Sequence, residues 1–518
     1  MSADGVDYAP VVIVGAGPTG ITAATLLAQY GVATVTLDRW SEVYPQPRAV
    51  HVDDEVCRIL ARLGLAESFA AVSRPAHGLQ LRDRSQRVLA EFRRDTRPGR
   101  NGFPQANMFD QPVLEALLRA NLQRHPLAEL RGNVEVVNVD VAPPGRARVT
   151  YLDRNTGRER DIEADYVLGC DGANSVVRAR IGAAMKDLCF NQRWLVIDVG
   201  TAVDLRQWDG VHQICDPRRA GTFMRIGATR YRWEFRLLPG ESVQDFATLD
   251  ALRPLLSPWI GAAADSDLEL IRVAEYTFRA QVADRWRRGA VLLLGDAAHL
   301  TPPFVGQGMG AGLRDAMNLC WKLAGVLAGD LTDCVLDTYE QERKPHTTFM
   351  IGMALAIGWA MTAGGDFGSA IRRLVVPWLH RLPGVRRRVV DSTTPQLRRS
   401  ALVCRKPLRR SLVGGLCPNP PLPEGGSLDD ELGRGFSVVT AVALSESDRR
   451  IVEERGARVH HATAGSVTAD WLRRGRVTAA VVRPDRTVMV ASRDLGVVCD
   501  RVPSFHCGAR HHDKGRLR

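Results

Sequence analysis

The hydrophobic pattern at the start of the chain reads strand, loop, helix, strand. VVIV (11–14) is an unbroken apolar run, GAGPTG (15–20) interrupts it, ITAATLLAQYG (21–31) carries small and apolar residues to a closing glycine, and ATVTL (33–37) is a second short strand. Apolar positions three and four apart predict helices over 53–70 and 110–124. Two further apolar runs, beginning at 166 and 292, lead into Asp171-Gly172 and Gly295-Asp296. From about residue 190 to 285 the texture is strand-like. YRWEFRLL (231–238) sets Tyr231, Trp233 and Phe235 against Arg232, Glu234 and Arg236, as a strand with one buried face should. The three rings read as sheet core, with one or two available to a substrate. Helical texture returns after Gly295 and runs to about 395.

The arginine-rich stretch 371–411 has prolines and irregular apolar spacing, which favour a surface connector over a membrane-surface helix. CPNPPLPEGG (417–426) reads as a linker. Beyond it, strand and helix patterns alternate as a small βαβα-ββ unit. Residues 349–365 are uncharged, at the lower edge of a membrane-spanning length, but their glycines and the charged run before them predict a buried helix.

At 518 residues the chain exceeds one ordinary core, and 45% hydrophobic with 25% charged residues fits a folded, multidomain protein. The net charge of +11 is carried by arginines scattered among acids, so a solvated surface is expected and a nucleic-acid face is not. Ten cysteines without a CxxC predict reduced thiols in a cytoplasmic protein, and MSADGVDYAP lacks the charged and apolar regions of a secretory signal. The tail FHCGARHH (505–512) reads as a frayed terminus.

Candidate chemistry begins at Gly15, Ala16, Gly17, Pro18, Thr19 and Gly20, a G-x-G-x-x-G between strand and helix. The first glycine permits the tight turn, the second lets backbone approach a pyrophosphate, and the third allows close helix–strand packing. The helix N-terminus then faces the phosphates. Asp38, followed by Arg39, ends the second strand 18 residues after Gly20, where an acid can accept from ribose hydroxyls. This pattern predicts dinucleotide binding. Asp296 and His299 could be metal ligands or an acid–base pair, yet no third ligand is spaced for a metal, and His299 reads as packing behind a loop. His51, before Asp53 and Asp54, reads as a helix start with acids in its first turn. Arg225, Arg230 and Arg232 are candidates for a substrate carboxylate that nothing separates from surface arginines.

YVLGCDGANSVVR (166–178) and LLLGDAAH (292–299), after the first glycine loop, resemble in order and spacing the signatures of the single-component FAD-dependent aromatic hydroxylases. PRAVHVDDEVCRIL (47–60), NMFDQPVLEALL (107–118), NQRWLVIDV (191–199) and DTYEQERKPH (337–346) resemble the 3-(3-hydroxyphenyl)propionate hydroxylase branch.

The resemblance implies an α/β fold. A Rossmann-like FAD-binding domain with a helical extension (1–188 and 286–395) would be interleaved with a mixed-sheet substrate domain (189–285). A linker (396–428) and a thioredoxin-like domain without redox cysteines (429–518) would follow. It implies FAD as cofactor, NADPH or NADH as transient reductant, O2 as co-substrate, and hydroxylation of a phenol through a flavin C4a-hydroperoxide. The flavin carries the chemistry, so no catalytic side chain is assigned.

By the same resemblance Gly15 to Gly20 line the pyrophosphate and Asp38 the adenosine ribose. Arg48 contacts the cofactor and Gln111 the ribityl chain. Asp171 and Gly172 belong to a loop shared by FAD and NAD(P)H, supported by Arg178. Gly295 and Asp296 reach the ribityl or pyrophosphate region. Pro302, Pro303, Gly306, Gln307, Gly308, Met309 and Gly310 lie along the isoalloxazine edge, with Pro302 toward substrate. The family's loop usually has glycine where Val305 stands and asparagine where Gly310 stands.

The substrate expected is a 3-hydroxyphenylpropanoid acid, or else a polycyclic or polyketide-derived phenol undergoing hydroxylation or Baeyer–Villiger-type oxidation. A non-catalytic FAD-fold escort protein would have no reason to keep all three motifs. No stable membrane insertion is expected, and the protein is expected to be a monomer or homodimer.

Overall fold

The computed structural model describes residues 7–44, 49–142, 145–362, 394–405 and 411–506, apart from the side chains of Ala142, Val305 and 360–362. The chain runs β1 (Asp7–Val14), α1 (Pro18–Gln29), β2 (Thr34–Leu37), α2 (Asp54–Arg62), β3 (Gly78–Arg82), β4 (Val88–Arg93), α3 (Gln111–Leu122) and β5 (Arg158–Gly169). It continues through β6 (Met185–Gly200), β7 (Val211–Ile214), β8 (Gly221–Arg225), β9 (Arg230–Arg236), α4 (Leu249–Ile260) and β10 (Glu269–Ala283). Then come β11 (Val291–Leu293), α5 (Gly308–Leu327) and α6 (Asp337–Thr362).

The first sheet has parallel strands in the order β11-β5-β1-β2 at its centre, and their register positions the site. Val14 pairs with both Leu37 and Gly169, and Gly169 pairs with Leu293. Four apolar runs far apart in sequence therefore end side by side. In an open parallel sheet, ligands bind outside these carboxyl ends. Val11 to Ile13, Val167 and Val291 to Leu293 have no solvent exposure, as expected for strands covered on both faces. α1 and α5 cross closely because small residues meet: a Cβ at Gly312 would lie 2.2 Å from Thr19 Oγ1.

The second sheet runs β10-β6-β9-β8-β7-β3-β4, with His299–Leu300 paired beyond β10. It reaches beyond the expected 189–285 unit, since β6 begins at Met185 and His299–Leu300 comes from the 286–395 segment. The hairpin β3–β4, within the segment assigned to the FAD-binding domain, extends this sheet through parallel pairing of β3 with β7. α4 closes one face, packing Leu252, Leu256 and Trp259 against Leu195, Phe223, Tyr231, Trp233 and Phe235.

The C-terminal unit has strands Arg458–His461, Ser437–Thr440, Ala479–Val482 and Val488–Ser492 in that spatial order, the first two parallel and the rest antiparallel. It is built into the rest of the molecule. Glu342 of α6 accepts from Arg483 at 2.9 and 3.0 Å, from Lys322 at 2.9 Å and from Asn318 at 2.8 Å, all buried. Segment 396–428 also differs from an exposed linker, since Leu397, Val403, Val413 and Cys417 are buried against Leu428 and Trp471. Phe505, expected to fray, sits in an aromatic cluster with Tyr30, Trp321 and Phe436. Residues 363–393, 406–410 and 507–518, with most of the arginine-rich stretch and the histidines of the tail, lie outside the described residues. Among the described residues, no helix is long and apolar enough to cross a membrane.

Candidate active site

The aligned strand ends open into a cavity of about 970 Å³ that continues to the second sheet. Its strand-end wall contains Gly15 to Thr19, Asp38, Arg39, Gln111, Asp171, Gly172 and Asp296. Pro302, Pro303 and Gly306 to Met309 continue it toward the sheet. Gly20, Arg178, Gly295 and Gly310 stand behind this wall, and Arg48 lies outside the described residues.

The three glycines of the first loop have distinct roles. Gly15 has φ +101°, and a Cβ there would lie 2.4 Å from the Cys170 carbonyl. A Cβ at Gly20 would lie 1.9 Å from the Gly15 carbonyl. A Cβ at Gly17 would meet nothing within 4 Å and would project into open space at the N-terminus of α1. Two glycines are thus required by the fold and one is left for a ligand, which suits a pyrophosphate. Asp38 closes the loop by accepting from Ala16 N at 2.5 Å and Trp40 N at 2.8 Å. Each carboxylate oxygen keeps a lone pair for a ribose hydroxyl.

Gln111 accepts from Ala49 N at 2.6 Å and donates to Glu115 at 2.6 Å, which fixes its amide at the cavity wall. Burial pushes the Asp171 carboxyl above its ordinary value, against the Ser175 hydroxyl (2.5 Å) and Val177 N (3.0 Å) that donate to it. Arg178 donates to Ala173 O at 2.8 Å and Ala297 O at 3.0 Å, so it ties the second motif to the third.

Asp296 and His299 go separate ways. Asp296 lines the cavity, whereas His299 is buried and bonds Asp315 at 2.7 Å. Asp315 also accepts from Gly295 N at 3.1 Å and Arg343 at 2.8 Å. Burial alone would raise its pKa, but His299 and Arg343 hold it below the usual carboxylate range.

The loop before α5 turns at Gly306, which is left-handed (φ +59°) and packs against His51. Burial and the nearby Arg94 push the His51 pKa down to about 4, so this imidazole is neutral near pH 7. Gln307 donates to Asp53 at 2.9 Å and accepts from Arg314 at 2.9 Å, and Arg314 donates to Asp53 at 2.6 Å. Asp53 also caps α2 through Val56 N at 3.0 Å, as expected of an acid at a helix start. No side chain caps α5, so its first-turn amides are available to negative charge on a ligand. Gly310 explains its own departure from the family pattern: a Cβ there would lie 2.9 Å from both Arg314 and Val56. Sequence reasoning missed Asp53, Arg314 and Asp315 as loop supports. The available signal was a pair of charges, Arg314-Asp315, inside an apolar helical pattern.

The expected substrate contacts of β9 are corrected. Tyr231, Trp233 and Phe235 point away from the cavity into the core beneath α4. Glu234, on the opposite face, lines the cavity with Trp194, Gln213, Thr222 and Phe278. The carboxylate-binding arginines are corrected as well. Arg230 and Arg232 bond Asp198, at 3.1 and 2.6 Å, and Arg225 donates to the Gly227 and Ala228 carbonyls.

The chain matches the model of the FAD binding domain family over residues 8–353. It is 33% identical over 512 residues to the probable NADH-specific resorcinol 4-hydroxylase of Rhodococcus jostii, covering 93% of this chain and 92% of that protein. It is 31% identical over 533 residues to 3-(3-hydroxy-phenyl)propionate/3-hydroxycinnamic acid hydroxylase 2 of Burkholderia vietnamiensis, covering 96% of each. Among solved structures, the flavin-dependent monooxygenase PieE in complex with FAD and substrate superposes with a TM-score of 0.76 at 23% identity, covering 97% of this chain and 98% of that one. Aklavinone-11 hydroxylase with FAD and aklavinone also gives 0.76 at 23% identity, covering 95% and 96%. These two show the shared fold, and the sequence relatives show the family. The chain belongs to the FAD-dependent aromatic hydroxylases.

Proposed function

We propose that this monooxygenase holds FAD along the strand-end wall and hydroxylates a phenol lodged between that cofactor and the second sheet. The single cavity joining the Gly15–Gly20 loop, the Pro302–Met309 loop and the sheet carries this reading. When bound, FAD supplies the redox chemistry, accepting hydride from a nicotinamide and activating dioxygen. The protein binds, orients and shields. The α1 N-terminus and Gly17 take the pyrophosphate, Asp38 the ribose, and Gln111 and Asp296 the ribityl region. Asp171 and Arg178 shape the loop shared with the nicotinamide. The α5 amides, aimed by Gln307 and its Asp53–Arg314 support, stabilise charge at the flavin's pyrimidine edge. Trp194, Phe278, Met350, Met353 and Ile357 give the substrate side an apolar lining that excludes water.

NADH is the proposed reductant, as in the name of the Rhodococcus relative. A cytoplasmic location is proposed as well, supported by the free state of the described cysteines. The C-terminal unit is proposed to be a thioredoxin-like fold with a structural role, supported by its strand order and its buried ionic contacts. The test is the absorption spectrum of the purified protein, then NADH and NADPH oxidation with resorcinol, 3-(3-hydroxyphenyl)propionate and a polycyclic phenol. A flavin spectrum with phenol-stimulated oxidation is expected. A protein that cannot be loaded with FAD contradicts the proposal.

A further inference from the structure

One carboxyl faces the substrate side from the centre of the second sheet, in a cavity that Arg94, Glu275 and Arg279 also line. Glu234 is only 7% exposed, and it faces the cavity from the middle of the sheet, between Val196 of β6 and Thr222 of β8. Its polar neighbours are turned elsewhere. Thr222 donates to Gln213 at 3.1 Å, and Gln213 donates to Gly221 O at 3.0 Å. Arg232 and Arg272, the cations that act on Glu234, both bond Asp198, at 2.6 and 3.0 Å. Among the described residues, none donates a hydrogen bond to the Glu234 carboxyl. A buried carboxyl without a donor is costly, and burial raises its pKa. The cost is offset if a ligand brings the missing donor, and the cavity is the side from which a ligand can come.

We propose that Glu234 determines substrate specificity by accepting a hydrogen bond from a ring hydroxyl of an uncharged phenol, and by disfavouring substrates that present a carboxylate to this wall. A dihydroxybenzene meets both conditions, with one hydroxyl activating the ring and the other reaching Glu234. A phenol that aims an acidic side chain at this wall meets the second badly, because two carboxyls held side by side in a low-dielectric site cannot both ionise without cost. This inference rests on the phenol-hydroxylase reading and narrows its substrate.

The test uses the FAD-loaded full chain with Glu234→Gln, which removes charge but keeps an acceptor, and Glu234→Leu, which removes both. Resorcinol and 3-(3-hydroxyphenyl)propionate are titrated into oxidised enzyme, with dissociation constants read from the flavin spectrum. KM and kcat for NADH oxidation are measured separately. The parent is expected to bind resorcinol more tightly than the propionate. Glu234→Leu should weaken resorcinol about ten- to hundredfold, mainly in Kd and KM, with Glu234→Gln intermediate and propionate binding unchanged or tighter in both. Equal weakening of both ligands would mean a structural role only and would overturn the inference, as would unchanged resorcinol binding. A parent that takes up FAD but binds no phenol overturns the phenol reading itself, a result visible before any variant is made.

Discussion

Gly17→Ala separates what the fold needs from what the cofactor needs. The residue has φ −69°, which alanine adopts freely, and its Cβ would meet no atom within 4 Å. The cost to the empty protein is the poorer N-cap, about 0.5–1 kcal/mol, and it applies with or without ligand. The added methyl instead occupies the space through which a pyrophosphate reaches the amides at the start of α1. Losing one charge-assisted hydrogen bond there costs about 1.5–3 kcal/mol, or roughly 10- to 150-fold in Kd. Gly20→Ala provides the contrast, because its Cβ at 1.9 Å from a backbone carbonyl must distort the loop itself. The assay is titration of flavin-free protein with FAD, alongside thermal unfolding without FAD. Gly17→Ala should unfold close to the parent temperature yet bind FAD at least tenfold more weakly. Parent-like affinity in this variant would refute the placement of the pyrophosphate at this loop.

Asp296→Ala should purify with little flavin and bind added FAD weakly; affinity equal to the parent's would remove Asp296 from the cofactor wall. Acid stability should depend on Asp429, which Arg58 holds at 2.6 and 2.7 Å and Arg486 at 2.7 Å. Burial alone would raise its pKa, but Arg58 and Arg486 lower it from 3.8 to about 2. With the folded value depressed, its contribution is full above about pH 4 and is lost as pH falls through about 2; the shift corresponds to about 2 kcal/mol. Asp429→Asn should therefore be less stable near pH 7 and lose less on acidification, as thermal unfolding across pH would show; parallel pH curves for variant and parent would contradict this.

The strand-end wall was largely legible in the sequence because each motif is an apolar run stopped by glycine, with aspartate close behind in the second and third. Parallel register then places Val14, Leu37, Gly169 and Leu293 side by side without needing further information. The substrate wall was not legible. Period-two alternation in β9 gives two faces but does not say which one another layer will cover. α4 claims the aromatic face, leaving Glu234 to look into the cavity. The hairpin β3–β4 was similarly hidden, since its partner β7 lies more than a hundred residues later in the chain. Segment 396–428 misled for another reason. Its prolines and glycines mark irregular backbone, and irregular backbone can still bury Leu397, Val403 and Cys417. Arg314 and Asp315 looked like ordinary helical charges, and only tertiary packing brings them to Asp53, Gln307, His299 and Arg343.

Oxygen transfer to a phenol is the central claim, and isotope tracing tests it most directly. FAD-loaded enzyme, NADH and resorcinol are incubated under isotopically labelled dioxygen, and the product is analysed by mass spectrometry. The account predicts a trihydroxybenzene carrying one labelled oxygen atom, formed in step with NADH consumption. Stoichiometric hydrogen peroxide with unchanged resorcinol and every other phenol of the panel would contradict it.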